Sequence, residues 1–108
     1  MDSMMTQIFI AKLVCEKTTQ IHVQPYEVLA KQRGSLVIQH ANDVRRFQQR
    51  YLGRYKVSAE RYQEEGYGKT REEAVAALRR GLQNKAAILV HLADVLRTES
   101  KLPCSPSV

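Results

Sequence analysis

The chain has 108 residues, 44% hydrophobic and 26% charged, an ordinary composition for one globular domain large enough to bury a core. No apolar run approaches the ~18 residues a membrane-spanning helix needs, and residues 1–5, MDSMM, lack the basic start and cleavage site of a secretory signal, so a cytoplasmic protein is expected. The formal net charge is +6, and residues 31–61 hold all of that excess, with eight basic residues against two acids, Asp43 and Glu60.

In chain order, residues 6–17 (TQIFIAKLVCEK) read as a strand that is apolar on both faces, as expected for a central strand. A short polar connection at Thr18-Thr19 and a second strand over 19–24 complete a tight hairpin. Pro25 ends or bends that strand. Residues 25–33 are open between a helical turn, which is favoured, and an extended arm. A third strand covers 35–40. Residues 43–52 then read as a short basic helix capped by Asn42 or Asp43, because Val44, Phe47 and Tyr51 fall on one helical face and Gly53 stands where a left-handed cap would. In this reading Phe47, Tyr51 and Tyr55 belong to the core. Residues 54–63 alternate as a half-exposed strand, and residues 64–68 make a turn.

Thr70 and Glu73 form a capping box, the best-defined helix start in the chain. From there Val75, Leu78, Leu82, Leu89, Leu92 and Leu96 keep 3-4 spacing, with Lys85 as the polar position of the seam and Ala74, Ala77, Gly81, Ile88 and Val95 as a flanking stripe. One helix over 70–97 would be about 40 Å long, more than a small domain can cover. Either it kinks or splits near 81–84, where Gly81 and Asn84 lie, or its C-terminal half packs on a second subunit. Residues 1–98 form one domain in this reading, and 99–108, with Cys104 between prolines, read as a disordered tail.

Little in the chain suggests catalysis. The Lys69-Thr70 pair lacks the GxxxxGK(S/T) frame of a phosphate-binding loop. His22, His40 and His91 are scattered, Cys15 and Cys104 form no metal-ligand pair, and no serine sits in a nucleophile elbow. No enzyme, cofactor or metal is expected. A focused cationic field points to an anionic partner, and arginine forks interleaved with aromatics suit phosphates and bases. The candidate nucleic-acid contacts are Arg45, Arg46, Arg50, Arg54, Lys56, Arg61, Tyr62 and Tyr67. Lys69 and Arg71 join them at a helix N-terminus, where free N–H groups and the dipole favour anions, although Glu72 and Glu73 oppose this.

The segment GYGKTREEAVAALRRGL (66–82) resembles the last strand-to-helix corner of double-stranded-RNA-binding-like domains, including the N-terminal domain of a small-subunit ribosomal protein family. The matching residues are Gly66, Gly68, Thr70, Arg71, Ala74, Ala77 and Leu82. The same corner is similar to HicB-like antitoxin domains. The resemblance implies an amphipathic helix on an antiparallel sheet. It departs from the RNA-binding pattern at Glu72 and Val75, where that pattern favours lysines.

The expected fold is α+β: an antiparallel sheet of three or four strands, a long C-terminal helix across one face, and a short basic helix at 43–52. The expected function is a non-enzymatic nucleic-acid-binding or regulatory protein, with RNA or DNA as partner. The alternative is a homodimeric interaction module joined through Leu82, Leu89, Leu92 and Leu96.

Overall fold

The computed structural model describes residues 6–58 and 63–99. It is an α+β fold in which six antiparallel strands, in the spatial order β4-β3-β2-β1-β6-β5, carry one long C-terminal helix. Strand β1 (Gln7–Cys15) is central and apolar on both faces, as its sequence requires. Ile8 and Ile10 are buried on one side, and Phe9 and Ala11 pack on the other.

Strand β2 (Thr19–Gln32) does not stop at Pro25 but runs on through it, so the helical turn expected at 25–33 is strand. The Pro25 carbonyl points toward the β3 side and accepts a hydrogen bond from His40 Nδ1 at 2.8 Å. Within an antiparallel strand N–H and C=O of one residue point the same way. The missing N–H of Pro25 therefore falls beyond the last β2–β3 partner, Glu27–Gln39, and the ladder with β1 is intact. A two-residue turn with Gly34 at φ 69° leads into β3 (Ser35–His40).

The expected helix at 43–52 is a strand, β4 (Asp43–Gln48), followed by a single 3-10 turn at Gln49–Tyr51. The alternation of β4 is real but disguised. Arg45 and Phe47 face inward while Val44, Arg46 and Gln48 are exposed. The segment expected as a turn at 64–68 lies in another strand, β6 (Gln63–Gly68), which pairs with both β1 and β5 (Tyr55–Ser58). The sheet therefore has six strands rather than three or four.

The sheet curls strongly. Phe47 of β4 stacks edge-on against Tyr67 of β6 with ring centroids 5.0 Å apart, although β3, β2 and β1 lie between those strands in the sheet. Inside the curl Ile8, Ile10, Tyr26, Leu36, Ile38, Phe47 and Tyr67 form one buried cluster. Each such side chain contributes about 1.5–3 kcal/mol when fully buried.

Helix α1 (Arg71–Glu99) packs on the opposite face through Ala74, Ala77 and Leu78 over Ala11, with Phe9, Val23 and Tyr55 around them. Its start uses the two residues of the expected capping box, with the return bond displaced by one residue. Thr70 Oγ1 accepts from the Glu73 N–H at 3.0 Å, and the Glu73 carboxylate accepts from the Lys69 N–H. The helix does not split at 81–84 but runs unbroken from Arg71 to Glu99.

Gly66, read as part of a turn, and Gly81, read as the place of a kink or split, instead let helix and sheet touch. A Cβ at Gly66 would lie 2.4 Å from the Leu78 nitrogen, and one at Gly81 would lie 2.0 Å from Tyr55 Cγ. On an exposed helix, Gly81→Ala would add about 1 kcal/mol of stability. Here it is expected to cost about 1–3 kcal/mol by overpacking against Tyr55. Urea unfolding checks the sign, and a stabilised variant would contradict the close contact.

Candidate nucleic-acid interface

The candidate site is built on one buried ion pair. Arg45 Nη1 and Nη2 donate to the two carboxylate oxygens of Glu65 at 2.9 and 3.2 Å, a bidentate pair joining β4 to β6 across the curl. The Glu65 side chain is wholly inaccessible and that of Arg45 is 12% exposed. Isolated, either charge would be too costly to bury, so the surrounding groups decide whether the pair is tolerable.

Those groups are present. Arg45 Nε donates to Asp43 at 3.3 Å, Nη2 also reaches the Tyr26 hydroxyl at 3.1 Å, Tyr26 donates to Asp43 at 2.7 Å, and Tyr67 donates to Glu65 at 2.8 Å. Among the described residues no buried side-chain nitrogen or oxygen lacks a partner. Burial opposes the Arg45 charge, but the hydrogen bond and charge of Glu65 outweigh it and raise its pKa. Burial pushes the Tyr67 phenol up, helped by the Glu65 charge. Burial and the bond to Asp43 likewise raise Tyr26, to about 12.

Where the curl leaves β4 and β5 facing each other, a groove of about 400 Å³ opens. Arg45, Glu65 and Tyr67 form its buried side. Arg46, Gln48, Tyr51, Lys56 and Ser58 line it toward solvent. Lys56 Nζ lies 4.6 Å from the centre of the Tyr51 ring, and the Arg50 guanidinium lies 5.1 Å from it. The Arg50 hydrogen bond, then the charges of Arg50 and Lys56, draw the Tyr51 phenol below its ordinary range. Among the described residues, no carboxylate pairs with Arg46, Arg50, Arg54 or Lys56.

The expected site residues thus divide. Arg46 and Lys56 line the groove, and Arg50 joins Lys56 over the Tyr51 ring at its edge. Arg45 and Tyr67 are turned inward onto Glu65, so neither presents its polar end to solvent. Arg54 lies in a second depression, beside Arg80 and α1. Arg71 covers the Phe9 ring at 5.9 Å, and at the helix start the Glu73 N–H is taken by Thr70 while the Glu73 carboxylate, which accepts from the Lys69 N–H, sets a negative charge there. Arg61 and Tyr62 lie outside the described residues.

Tyr51, read from sequence as core, does pack against the buried cluster, but it is only half-buried and also lines the groove. Its place between Arg50 and Lys56 could have marked it, since a ring flanked by two cations suits cation–π contact. Among the described residues no three His, Cys, Asp or Glu side chains gather as metal ligands, and no helix is long and apolar enough to cross a membrane.

The raised Tyr26 pKa ties stability to pH. A phenol that titrates near 10 when unfolded and near 12 when folded contributes fully below pH 10, and that contribution is lost as pH rises through 12. The unfolding midpoint is therefore expected to fall between pH 10 and 12, and Tyr26→Phe, which cannot ionise, should flatten the fall when followed by circular dichroism.

Comparison with known proteins finds no matching family model, curated protein or solved structure.

Proposed function

We propose that the protein is a small non-enzymatic nucleic-acid-binding protein, with the rim of the β4–β5 groove as its phosphate-contacting surface. One observation carries this reading: Arg50 and Lys56 lie over the half-buried ring of Tyr51, Arg46 and Lys56 line the open groove beside it, and none of the three has a carboxylate partner among the described residues. Guanidinium forks suit phosphate oxygens, and the Tyr51 ring becomes a stacking surface for a base where Arg50 or Lys56 leaves it for a phosphate. Arg54 and Arg80 extend the cationic surface toward α1. Glu65, the acid that lines the groove, and Asp43 of β4 are both engaged by Arg45, so they cancel little of the field at the rim.

Stacking needs an unpaired base, which favours single strands over duplex. Fluorescence anisotropy with labelled single-stranded and duplex oligonucleotides, each at stepped salt, tests the reading. The affinity should fall linearly in log–log with salt, with a slope near −0.7 for each phosphate contacted on a single strand. Arg46→Glu and Lys56→Glu should each weaken binding about tenfold and flatten that slope by about one phosphate. Arg79→Ala, on the exposed surface of α1, should change neither. Absence of binding at low salt, or binding indifferent to the two rim substitutions, would overturn the proposal.

A further inference from the structure

The stripe of α1 that packs on the sheet does not end where the sheet ends. Ala74, Ala77 and Leu78 are buried beneath it, and Lys85 reaches back to Glu64 at the start of β6, 2.6 Å away. Beyond Lys85 the same helical face continues as Ile88, Leu89, Leu92, Val95 and Leu96, which are 38–68% exposed. The radius of gyration, 18.4 Å, exceeds the roughly 13 Å of a compact chain of this size because this half of α1 projects past the sheet. A contiguous apolar face of this kind marks an interaction surface.

We propose that its occupant is a second copy of this chain, seated antiparallel. Charge permits self-pairing. Residues 86–98 carry one acid, Asp94, and one base, Arg97, which pair with each other, so two copies meet here without net repulsion despite the overall charge of +6. The same count disfavours a lipid surface, since a helix lying on a membrane carries rows of Lys and Arg on its polar face. Two such stripes face to face would bury on the order of 1,000 Å², the lower limit for a specific interface.

Orientation follows from the sheet. In a parallel pair the partner's residues 71–82 would run along this chain's 71–82, on the stripe its own sheet already covers. Antiparallel pairing instead places the partner's sheet past the free end of α1. Heptad spacing sets the register: Leu89 meets the partner's Leu92, and Leu96 lies on the aliphatic stem of the partner's Lys85. Leu82, half-covered by its own domain, lies at the margin of this seam, while Ile88 and Val95 flank it.

Analytical ultracentrifugation of the full chain, nuclease-treated and in about 0.5 M salt so that nucleic acid cannot bridge copies, tests the proposal. Wild type should pass from monomer to dimer between about 1 and 200 µM, as a weak interface at the small end of the size range would. Leu89→Glu and Leu92→Lys, both at positions exposed in the monomer, should each weaken association more than tenfold while leaving the circular dichroism unchanged. Mixing the two variants should restore a dimer, because antiparallel pairing sets Glu against Lys in one layer and Leu against Leu in the other. A wild-type monomer throughout this range, or variants that dimerise as wild type does, would overturn self-association. Failure of the mixture to associate would overturn the antiparallel register.

Discussion

The fold depends on a buried charge pair. Arg45 and Glu65 sit in strands that are far apart in the order of the sheet, and they can meet only if the sheet curls. Desolvating two ions costs several kcal/mol each, and Coulomb attraction offsets this only with good geometry and full hydrogen bonding. Tyr26, Tyr67 and Asp43 supply those bonds. The network therefore specifies which strands meet as much as it stabilises their meeting, since a less curled sheet would leave Glu65 buried without its partner. Phe47 on Tyr67 adds apolar contact to the same crossing.

The opposite side of the sheet solves a different problem. A helix must lie close enough to β6 for Ala74 and Leu78 to seal it, and any side chain at Gly66 or Gly68 would hold it off. Their absence brings α1 onto the strand, and Tyr55 fills the space over Gly81. The two faces of β6 are thus specialised: Glu65 and Tyr67 turn into the curl, while Gly66 and Gly68 accept the helix. Because Arg45 turns inward, its neighbours Val44 and Arg46 turn outward. The cationic rim is in this sense a consequence of the buried pair.

Much of this architecture was legible in the sequence, and the parts that were not share one cause. The two-faced strand β1, the hairpin into β2, strand β3, the capping box and the long helix all announce themselves by periodicity or cap chemistry. Strands β4 and β6 do not, because each carries a charge at an inward position. Arg45 breaks the alternation of β4 and leaves Val44, Phe47 and Tyr51 to imitate a helical stripe. Glu65, between Glu64 and Gly66, makes β6 look like a polar turn. Neither charge can be read as buried until the other is placed opposite it, and residue spacing says nothing of that. Pro25 misled for a similar reason, since its tolerance depends on where β3 ends. At the site, the excess of cations was visible from composition, but which arginine faces in and which faces out was set by the strand parity that the buried pair conceals.

The direct test of this account is a double-mutant cycle on Arg45 and Glu65, measured by urea unfolding of Arg45→Met, Glu65→Gln and the combined variant. If the pair holds the curl, each single substitution should cost about 3–5 kcal/mol, because it leaves a buried partner uncompensated. The combined variant should then cost less than the two together, with a coupling of about 1–3 kcal/mol. Additive losses would show that Arg45 and Glu65 act independently and would contradict the central place given to their contact.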